Sequence, residues 1–279
     1  MNVFNKALHL NSIINKKLSI GLVPTMGSLH KGHLSLIKKA LVENDQVIVT
    51  IFVNPTQFDS SEDIENYPRN LHRDISMINS ISSKILIYTP QSSEIFDSLV
   101  KSSSYDFGKL EKIMEGKHRP GHFQGVATVV EKLLSLFKPT KAYFGEKDFQ
   151  QLLIIKSLVS QKKILTSIIG CSILRDTCGL ALSSRNQLLT NDEFKNASFI
   201  FEQLTLAKSL WNKNSISDII KTIEKSFIKN KYFKLHYFDI RFNNNLQKVE
   251  YKSEKKARAF IAAKIGKVRL IDNLLLNEF

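Results

Sequence analysis

Cysteine is scarce in this sequence, which has only Cys171 and Cys178 among its 279 residues. The two form no CxxC pair, and no cluster of histidines lies near them, so neither a structural zinc site nor a dithiol redox centre is expected. A low cysteine content without such a pattern is typical of a reduced, cytosolic chain. We therefore predict a cytoplasmic protein.

Long apolar runs are also absent, because no stretch approaches the roughly 18–20 apolar residues of a membrane-spanning helix. Acidic residues are missing before Glu43, a feature of some transit peptides. However, the apolar residues near the start recur at helical spacing and do not form the compact block of a signal peptide. They are Val3, Ala7, Leu10 and Ile14. Residues 1–18 are therefore expected to contain a helix of the fold, in a protein with no membrane partner.

Acidic side chains are outnumbered, since 40 Lys and Arg against 26 Asp and Glu give a net charge of +14. The excess is spread over the chain, at +6 for residues 1–173 and +8 for residues 174–279. No basic run is interleaved with aromatic residues, as it would be on a nucleic-acid-binding surface. Nucleic acid is therefore not the expected partner, although a basic nucleic-acid-binding protein remains an alternative.

Proline and glycine nearly disappear from the last third of the chain. All six prolines lie between Pro24 and Pro139, and only Gly266 follows Gly179 among the eleven glycines. Up to about residue 173, short apolar segments alternate with amphipathic ones, which predicts an α/β, Rossmann-like domain with a parallel sheet. Predicted strands are 18–23, 47–53, 84–88, 141–144 and 167–174, and predicted helices are 33–42, 123–137 and 150–159.

Residues 174–279 predict a smaller α+β domain. Residues Thr190 to Glu193 form a capping box, which predicts a helix that runs towards Trp211. A second helix is predicted over 217–229, and short strands near 235–241, 258–262 and 267–271. The predicted domains are therefore 1–173, Rossmann-like, and 174–279, α+β.

The most informative segment, PTMGSLHKGH, extends from Pro24 to His33 and follows a predicted strand. His30 and His33 flank Gly32 at a helix start, where unpaired N–H groups and the helix dipole attract phosphate. Gly27 permits the turn after the strand, and the histidines can donate hydrogen bonds as charge builds on a phosphorus. The alternative is a capped helix with two surface histidines. The HxGH pattern indicates nucleotidylyl-transferring α/β proteins without specifying a substrate.

Two further segments place polar residues at strand ends, where parallel sheets bind ligands. Gln57, in IFVNPTQF, is an uncharged amide that suits a hydroxyl or a carboxylate. Lys147 and Asp148, in FGEKDFQQ, suit a phosphate and a ribose hydroxyl or metal ion respectively.

The last two segments are basic loops. EGKHRPGHF places Arg119 and His122 just before a predicted helix, as either a mobile anion-contacting flap or a solvated basic loop. LSSRN combines the hydroxyls of Ser183 and Ser184 with Arg185 and could grip a phosphate.

In their order along the chain, the five segments resemble the pantothenate synthetase family, the pantoate–β-alanine ligases of the HxGH nucleotidylyltransferase-like superfamily. The matching stretches span nearly the whole chain, at 23–33, 51–58, 67–69, 115–128, 142–152, 180–186 and 268–273. The resemblance implies an ATP- and pantoate-binding first domain, a second domain that acts as a lid, and a homodimer. It also implies ATP-dependent condensation of pantoate with β-alanine through a pantoyl-adenylate, with Mg²⁺ bound to ATP.

The resemblance implies a role for individual residues. Catalytic roles fall to His33, as the proton donor at the phosphate, and to His30, Lys147 and Arg185. Contacts with ATP are implied for Met26, Gly27, Ser28, Leu29, His30, Lys31, Gly32, His33, Gly145, Glu146, Lys147, Asp148, Leu174, Leu182, Ser183, Ser184 and Arg185. For the pantoate and β-alanine site, Gln57 and Gln151 would hold the pantoate hydroxyls, and Pro24, Met26, Val126 and Val129 would pack on its methyl groups. No protein residue is assigned to the metal, with Asp148 as the one candidate.

The sequence departs from the family pattern between Arg175 and Asn186. Asp176 stands where the family usually has glutamate, and Cys178 where it has an acidic residue. These departures leave an inactive relative as an alternative, and another HxGH nucleotidylyltransferase, such as a phosphopantetheine adenylyltransferase, is a second one.

Overall fold

The computed structural model describes residues 2–96 and 99–277. The chain forms two compact units. The first comprises the chain up to Glu146 together with Gln151–Ser172, and the second comprises Lys147–Gln150 and the chain from Ile173 onward. The predicted division after residue 173, and the lid role of the second domain, stay predictions.

The first unit is built on a parallel sheet. In the described part of the chain its six strands are β1 Val3–Phe4, β2 Ile20–Thr25, β3 Gln46–Ile51, β4 Leu86–Tyr88, β5 Lys141–Gly145 and β6 Ser167–Cys171. Their order is β1-β4-β3-β2-β5-β6, and every neighbouring pair is parallel. The helices between the strands are α1 Ala7–Ile13, α2 Lys31–Glu43, α3 Ser61–Glu65, α4 Leu71–Asn79, α5 Ser92–Ile95, α6 Met114–His118, α7 His122–Phe137 and α8 Phe149–Gln161.

The strand order reverses between β2 and β5, which lie side by side in the middle of the sheet. In open parallel sheets such a reversal leaves a crevice at the carboxyl ends of the two strands, where ligands bind. The central strands are buried on both faces, as their Val and Ile content requires, with Leu22, Val23, Ile48 and Val49 fully buried. The predicted Rossmann-like sheet is confirmed, and it directs attention to the loops after β2, β3 and β5.

The predicted N-terminal helix is partly wrong. It covers only Ala7–Ile13, whereas Val3 lies in β1 and pairs with Ile87 of β4. The helical spacing of the apolar residues misplaced Val3, because a two-residue edge strand is too short to show alternation in the sequence.

The second unit is a three-stranded antiparallel sheet covered by helices. Within the described residues its elements are α9 Asn191–Asn196, α10 Phe199–Leu210, α11 Ile216–Lys229, β7 Phe233–Phe242, β8 Ala257–Ile265 and β9 Val268–Leu275, with strand order β7-β8-β9. Apolar residues of α10 and α11, such as Leu204 and Ile223, join those of β8, such as Ala259 and Ile261, in one core. The predicted smaller α+β domain is confirmed as a fold class.

The predicted capping box forms, because Thr190 Oγ1 accepts from Glu193 N at 3.3 Å and the Glu193 carboxylate accepts from Thr190 N at 2.8 Å. The helix towards Trp211 is wrong as one element, since it is divided into α9 and α10. At the break, Ala197 N donates to Phe194 O, three residues back, so the last turn tightens and α9 ends.

None of the helices in the described part of the chain is long and apolar enough to cross a membrane.

Candidate active site

The turn after β2 is held by a buried carboxylate. Gly27 and Ser28 both have positive φ, 78° and 50°. With this backbone conformation, the consecutive N–H groups of Ser28 and Leu29 both point at the Asp74 side chain. The Asp74 carboxylate accepts from Ser28 N at 2.8 Å and from Leu29 N at 2.7 Å. A Cβ at Gly27 would lie 3.0 Å from Asp74 Oδ2, so the close approach also favours glycine there. Asp74 therefore fixes the path of the chain between β2 and α2.

Sequence reasoning missed Asp74, which lies on α4 and is 1% exposed. An isolated aspartate in an amphipathic segment carries no local signal of such a role. Its consequence for binding is specific. Because the N–H groups of Ser28 and Leu29 are occupied by Asp74, the hydrogen bonds that this segment offers to a phosphate must come from other donors.

His30 and His33 supply such donors. His30 is the N-cap of α2, and its Nδ1 accepts from Gly32 N at 3.1 Å. His33 Nδ1 accepts from His30 N at 3.3 Å. A ring nitrogen that accepts a hydrogen bond carries no proton, so each neutral ring holds its proton on Nε2. With ring centroids 4.0 Å apart, the pair presents two Nε2–H donors at a helix N-terminus.

Gln57 lies in the 3-10 helix Pro55–Gln57 that follows β3, and its side-chain amide has a defined orientation. The buried Asn54 donates from Nδ2 to Gln57 Oε1 at 2.9 Å and to Gly125 O at 3.0 Å. Because Oε1 accepts from Asn54, the Gln57 NH₂ group is the end of the amide that points away from Asn54. It lies 2.9 Å from Met26 Sδ, beyond the end of β2. The structure thus brings together Met26 and Gln57, both predicted for the pantoate site.

Helix α7 packs against the 3-10 helix that contains Gln57. A Cβ at Gly125 would lie 2.2 Å from Thr56 O, so only glycine lets α7 pack directly on the 3-10 helix. The predicted apolar residues Val126 and Val129 follow on the same helix and are buried.

The loop before α7 is anchored on the backbone of Gln57. His122, 8% exposed, places Nδ1 2.8 Å from Gln57 O, and Arg119 donates to the same oxygen at 3.1 Å. Arg119 also pairs with Asp59 at 2.8 Å. Burial, and secondarily the Arg119 charge, lowers the pKa of His122 to about 4, so the ring is neutral at pH 7 and donates from Nδ1. A solvated basic loop is therefore wrong for these two residues, although Lys117 and His118 are exposed.

The strand-order reversal lies between β2 and β5, so the carboxyl end of β5 borders the same crevice as the end of β2. Gly145 closes β5 and Glu146 follows it, both in the first unit together with Gln151 of α8. A Cβ at Gly145 would meet no heavy atom within 4 Å. In the first unit, the predicted residues Met26, Gln57 and Gly145 therefore lie at the carboxyl ends of the neighbouring strands β2, β3 and β5.

The second unit contains the remaining predicted residues. Leu174 and Leu182 are joined through the backbone, with Leu182 N donating to Leu174 O at 3.0 Å. Ser183 caps the 3-10 helix Ser184–Leu188 by accepting from Arg185 N at 3.3 Å.

Lys147 belongs to the second unit as well. Its ammonium lies 3.5 Å from Asp148 Oδ1.

One of the two departures from the family pattern, Asp176, has a structural account. Asp176 Oδ1 accepts from Cys178 N and from Leu180 N, both at 2.9 Å, and so closes the turn that contains Gly179. The shorter aspartate therefore has a defined role here. Cys178 is exposed.

Across residues 2–96 and 99–277, no group of three or more His, Cys, Asp or Glu side chains is arranged to hold a metal ion.

The chain matches the family model described as pantoate-beta-alanine ligase over residues 2–275. It is 47% identical to the pantothenate synthetase of Flavobacterium psychrophilum over 269 residues, which cover 96% of this chain and 95% of that protein. It is 48% identical to that of Christiangramia forsetii over 283 residues, covering 100% of both.

Solved structures agree. Pantothenate synthetase from Thermus thermophilus matches with a TM-score of 0.94 and 34% identity over 100% of both chains. Pantoate-beta-alanine ligase from Francisella tularensis, described as complexed with beta-gamma ATP and beta-alanine, matches with a TM-score of 0.81 and 38% identity, covering 99% of this chain and 98% of that one.

Proposed function

We propose that this chain, which belongs to the pantoate-beta-alanine ligase family, condenses pantoate with β-alanine at the expense of ATP. The observation that carries the proposal is the His30–His33 pair, whose two Nε2–H donors stand at the start of α2. Gln57 follows the neighbouring strand β3, and its NH₂ group can donate to a hydroxyl or carboxylate oxygen of pantoate.

The reaction has two steps. A pantoate carboxylate oxygen forms a bond to the α-phosphorus of ATP, and the bond from that phosphorus to the bridging oxygen breaks, so that pyrophosphate leaves. The β-alanine nitrogen then attacks the pantoyl-adenylate carbonyl, AMP leaves with the C–O electron pair, and the amine loses a proton. Making the mixed anhydride first converts a poor acyl donor into a good one.

His30 and His33 act in the first step. Negative charge accumulates on the oxygens of the pentacovalent phosphorus, and donors that are already oriented stabilise that charge without reorganisation. The backbone hydrogen bonds to both Nδ1 atoms provide this orientation, since they fix the rings and place each proton on Nε2. We assign His33 as the proton donor at the phosphate.

Gln57 orients pantoate. Asn54 engages Gln57 Oε1, so the NH₂ group donates to a pantoate oxygen, which is a better acceptor than the Met26 thioether it now faces. Gln151 is assigned to the same acid, and Pro24, Met26, Val126 and Val129 to its methyl groups.

ATP contacts are proposed for each unit by itself. In the first unit they fall to residues 26–33, Gly145 and Glu146. In the second unit they fall to Lys147, Asp148, Leu174, Leu182, Ser183, Ser184 and Arg185, with Lys147 and Arg185 as cations for phosphate oxygens. Mg²⁺ is assigned to the ATP phosphates, where it supplies charge neutralisation of the leaving pyrophosphate. A cytoplasmic homodimer is part of the same proposal.

The direct test is pantoate-dependent exchange of labelled pyrophosphate into ATP, followed by AMP release when β-alanine is added. We expect exchange without β-alanine and AMP release only with it. A folded preparation that shows no exchange with pantoate would overturn the assignment. Adenylyl transfer without any amine-dependent release of AMP would favour another HxGH nucleotidylyltransferase. Steeply salt-dependent RNA binding without exchange would favour a nucleic-acid-binding protein.

A further inference from the structure

The segment Lys147–Gln150 is attached to the second unit by contacts that the proposed reaction does not explain. Asn273 of β9 donates from Nδ2 to Lys147 O at 2.9 Å. The Phe149 ring lies 4.1 Å from the Arg258 guanidinium and 6.0 Å from the Phe260 ring. The Lys147 carbonyl therefore accepts a hydrogen bond from the second unit, while Phe149, two residues later, is held by ring contacts.

Asn273 is 1% exposed, and its amide is used at both ends. Its Oδ1 accepts from Arg258, which is 7% exposed and also donates from Nε to Asn243 Oδ1 at 2.8 Å. Because a cation engages Oδ1, the NH₂ group must face the Lys147 carbonyl. An apolar side chain would make neither of these hydrogen bonds, so a buried amide with two engaged ends indicates a requirement for direction as well as for volume.

The preceding residue, Asp272, supports the other ATP-binding loop of this unit. Its carboxylate, 4% exposed, forms a two-point ion pair with Arg175 and accepts from Asn273 N at 2.7 Å. Arg175 opens the turn that leads to Leu182 and Ser183. Two adjacent residues of β9 therefore hold two separate segments that the proposed function assigns to ATP.

We propose that Asn273 is a positioning residue that sets the place of Lys147 for the first step of the reaction. The inference rests on the proposed role of Lys147 at the ATP phosphates. Asn273 acts through the peptide carbonyl of Lys147, whose carbon is bonded to the Cα from which the lysine side chain extends. A flexible lysine can reach a phosphate from several backbone positions, but rapid transfer requires its charge in one place, and a misplacement of about 1 Å costs roughly a hundredfold in rate.

The informative variant is Asn273→Asp. Aspartate keeps an oxygen for Arg258 and nearly the same shape, but it replaces the NH₂ donor with an oxygen that repels the Lys147 carbonyl. We expect kcat for pantoate-dependent exchange to fall roughly ten- to a hundredfold, with a smaller change in the KM for ATP. The smaller Asn273→Ala, which also removes the donor, is the second variant should Asn273→Asp not fold.

A matched control is available in Asn277. It is a buried asparagine of the same unit, with Nδ2 donating to Lys255 O at 3.1 Å and Oδ1 accepting from Ala257 N at 2.7 Å. Asn277→Asp removes an equivalent amide donor away from Lys147. We expect it to lower Tm in a manner similar to Asn273→Asp while leaving exchange within about twofold of the parent protein.

A double-mutant cycle with Lys147→Ala separates the proposal from its premise. If Lys147→Ala leaves exchange unchanged, the proposed role of Lys147 fails, and the inference fails with it. If Lys147→Ala slows exchange, Asn273→Asp should have no further effect in that background, because there is no longer a lysine to position. Losses that multiply, or an Asn273→Asp protein that behaves like Asn277→Asp, would overturn the positioning role while leaving the proposed function intact.

Discussion

At the scale of single residues, the backbone decides the chemical form of the candidate catalytic groups. His30 and His33 each accept a backbone N–H at Nδ1, and each therefore presents Nε2–H. Asn54 similarly fixes the orientation of the Gln57 amide, so that its NH₂ end faces Met26. Residue type alone does not say which atom of these side chains faces a ligand, since imidazole and carboxamide groups can donate or accept. Local hydrogen bonds resolve the ambiguity before any substrate arrives.

The two functions of His33, capping and donation, can be separated by substitution. In His33→Asn, Oδ1 can still accept from His30 N, but no group reaches the position of Nε2. We expect pantoate-dependent exchange to fall about 10²–10³-fold, the usual cost of removing one donor to a transition-state oxyanion. ATP binding, measured by calorimetry, and Tm should change little, and His33→Gln should retain more activity. Exchange at the parental rate in His33→Asn would contradict the assigned role.

The buried His122 predicts a pH dependence of stability. Burial and Arg119 lower its pKa to about 4, compared with 6.5 in the unfolded chain. Between these values the unfolded chain binds the extra proton, so the free energy of unfolding decreases as pH falls from 6.5 towards 4. The loss should reach about 2 kcal/mol at pH 5.

Urea denaturation of the parent protein and of His122→Asn checks this expectation. Asparagine can donate to Gln57 O but does not titrate, so the variant should be less sensitive to pH between 6.5 and 5. Parallel curves for the two proteins would exclude His122 as the source.

At the scale of elements, a strand, a turn and a helix are joined at the candidate site by long-range contacts. The β2–α2 turn has its φ angles from Gly27 and Ser28, but Asp74, which comes from α4, satisfies its N–H groups. The 3-10 helix with Gln57 likewise depends on Gly125 and His122 of α7. Each of these two loops of the candidate site is thus short, and a helix that is distant in sequence determines its shape.

Asp74→Asn tests this dependence with almost no change in volume. Asparagine has one acceptor oxygen where aspartate has two, and its NH₂ group would face Ser28 N or Leu29 N. Leaving one buried N–H without an acceptor should lower the free energy of unfolding by about 1–3 kcal/mol. Urea denaturation measures the loss, and the affinity for ATP should weaken because the turn before His30 relaxes. Unchanged stability would show that Asp74 does not hold the turn.

At the scale of the whole molecule, the basic composition and the proposed function make opposite predictions about ligands. A net charge of +14 attracts any polyanion through long-range electrostatics, and that attraction is screened by salt. A specific site for ATP and pantoate instead binds them through hydrogen bonds from oriented donors, and salt weakens these bonds less. The response to each ligand therefore discriminates between general charge and a specific site.

Ligand-induced stabilisation measures this difference. ATP with Mg²⁺ and pantoate together, each at about 100 times its Kd, should raise the free energy of unfolding by about 2.7 kcal/mol or more. The gain should persist from about 50 to 300 mM salt, whereas any stabilisation by RNA should vanish over that range. Thermal unfolding at several salt concentrations provides both comparisons. If the stabilisation by ATP and pantoate also disappeared as salt increased, it would contradict a specific site.

Much of the fold could be predicted from local patterns. The central strands β2, β3 and β5 are runs of apolar residues bounded by turn residues, and α7 and α11 have long helical periodicity, so burial alone specifies their type. The break between α9 and α10 and the two-residue strand β1 could not be predicted in the same way, because a tightened turn and an edge pairing depend on neighbours outside the local window.

The sequence by itself determined the class of chemistry. Phosphate-binding residue types at fixed spacing, such as His30-Lys31-Gly32-His33 after a strand, retain their meaning without coordinates because a helix start always exposes N–H donors. Local capping hydrogen bonds decide which atoms of these residues are donors. Only the tertiary structure decided that Asp74 and not a phosphate occupies the N–H groups of Ser28 and Leu29, and that Asn273 holds Lys147. Such hydrogen bonds join residues 45 to 126 positions apart, and only folding selects one partner among many of equal local chemistry.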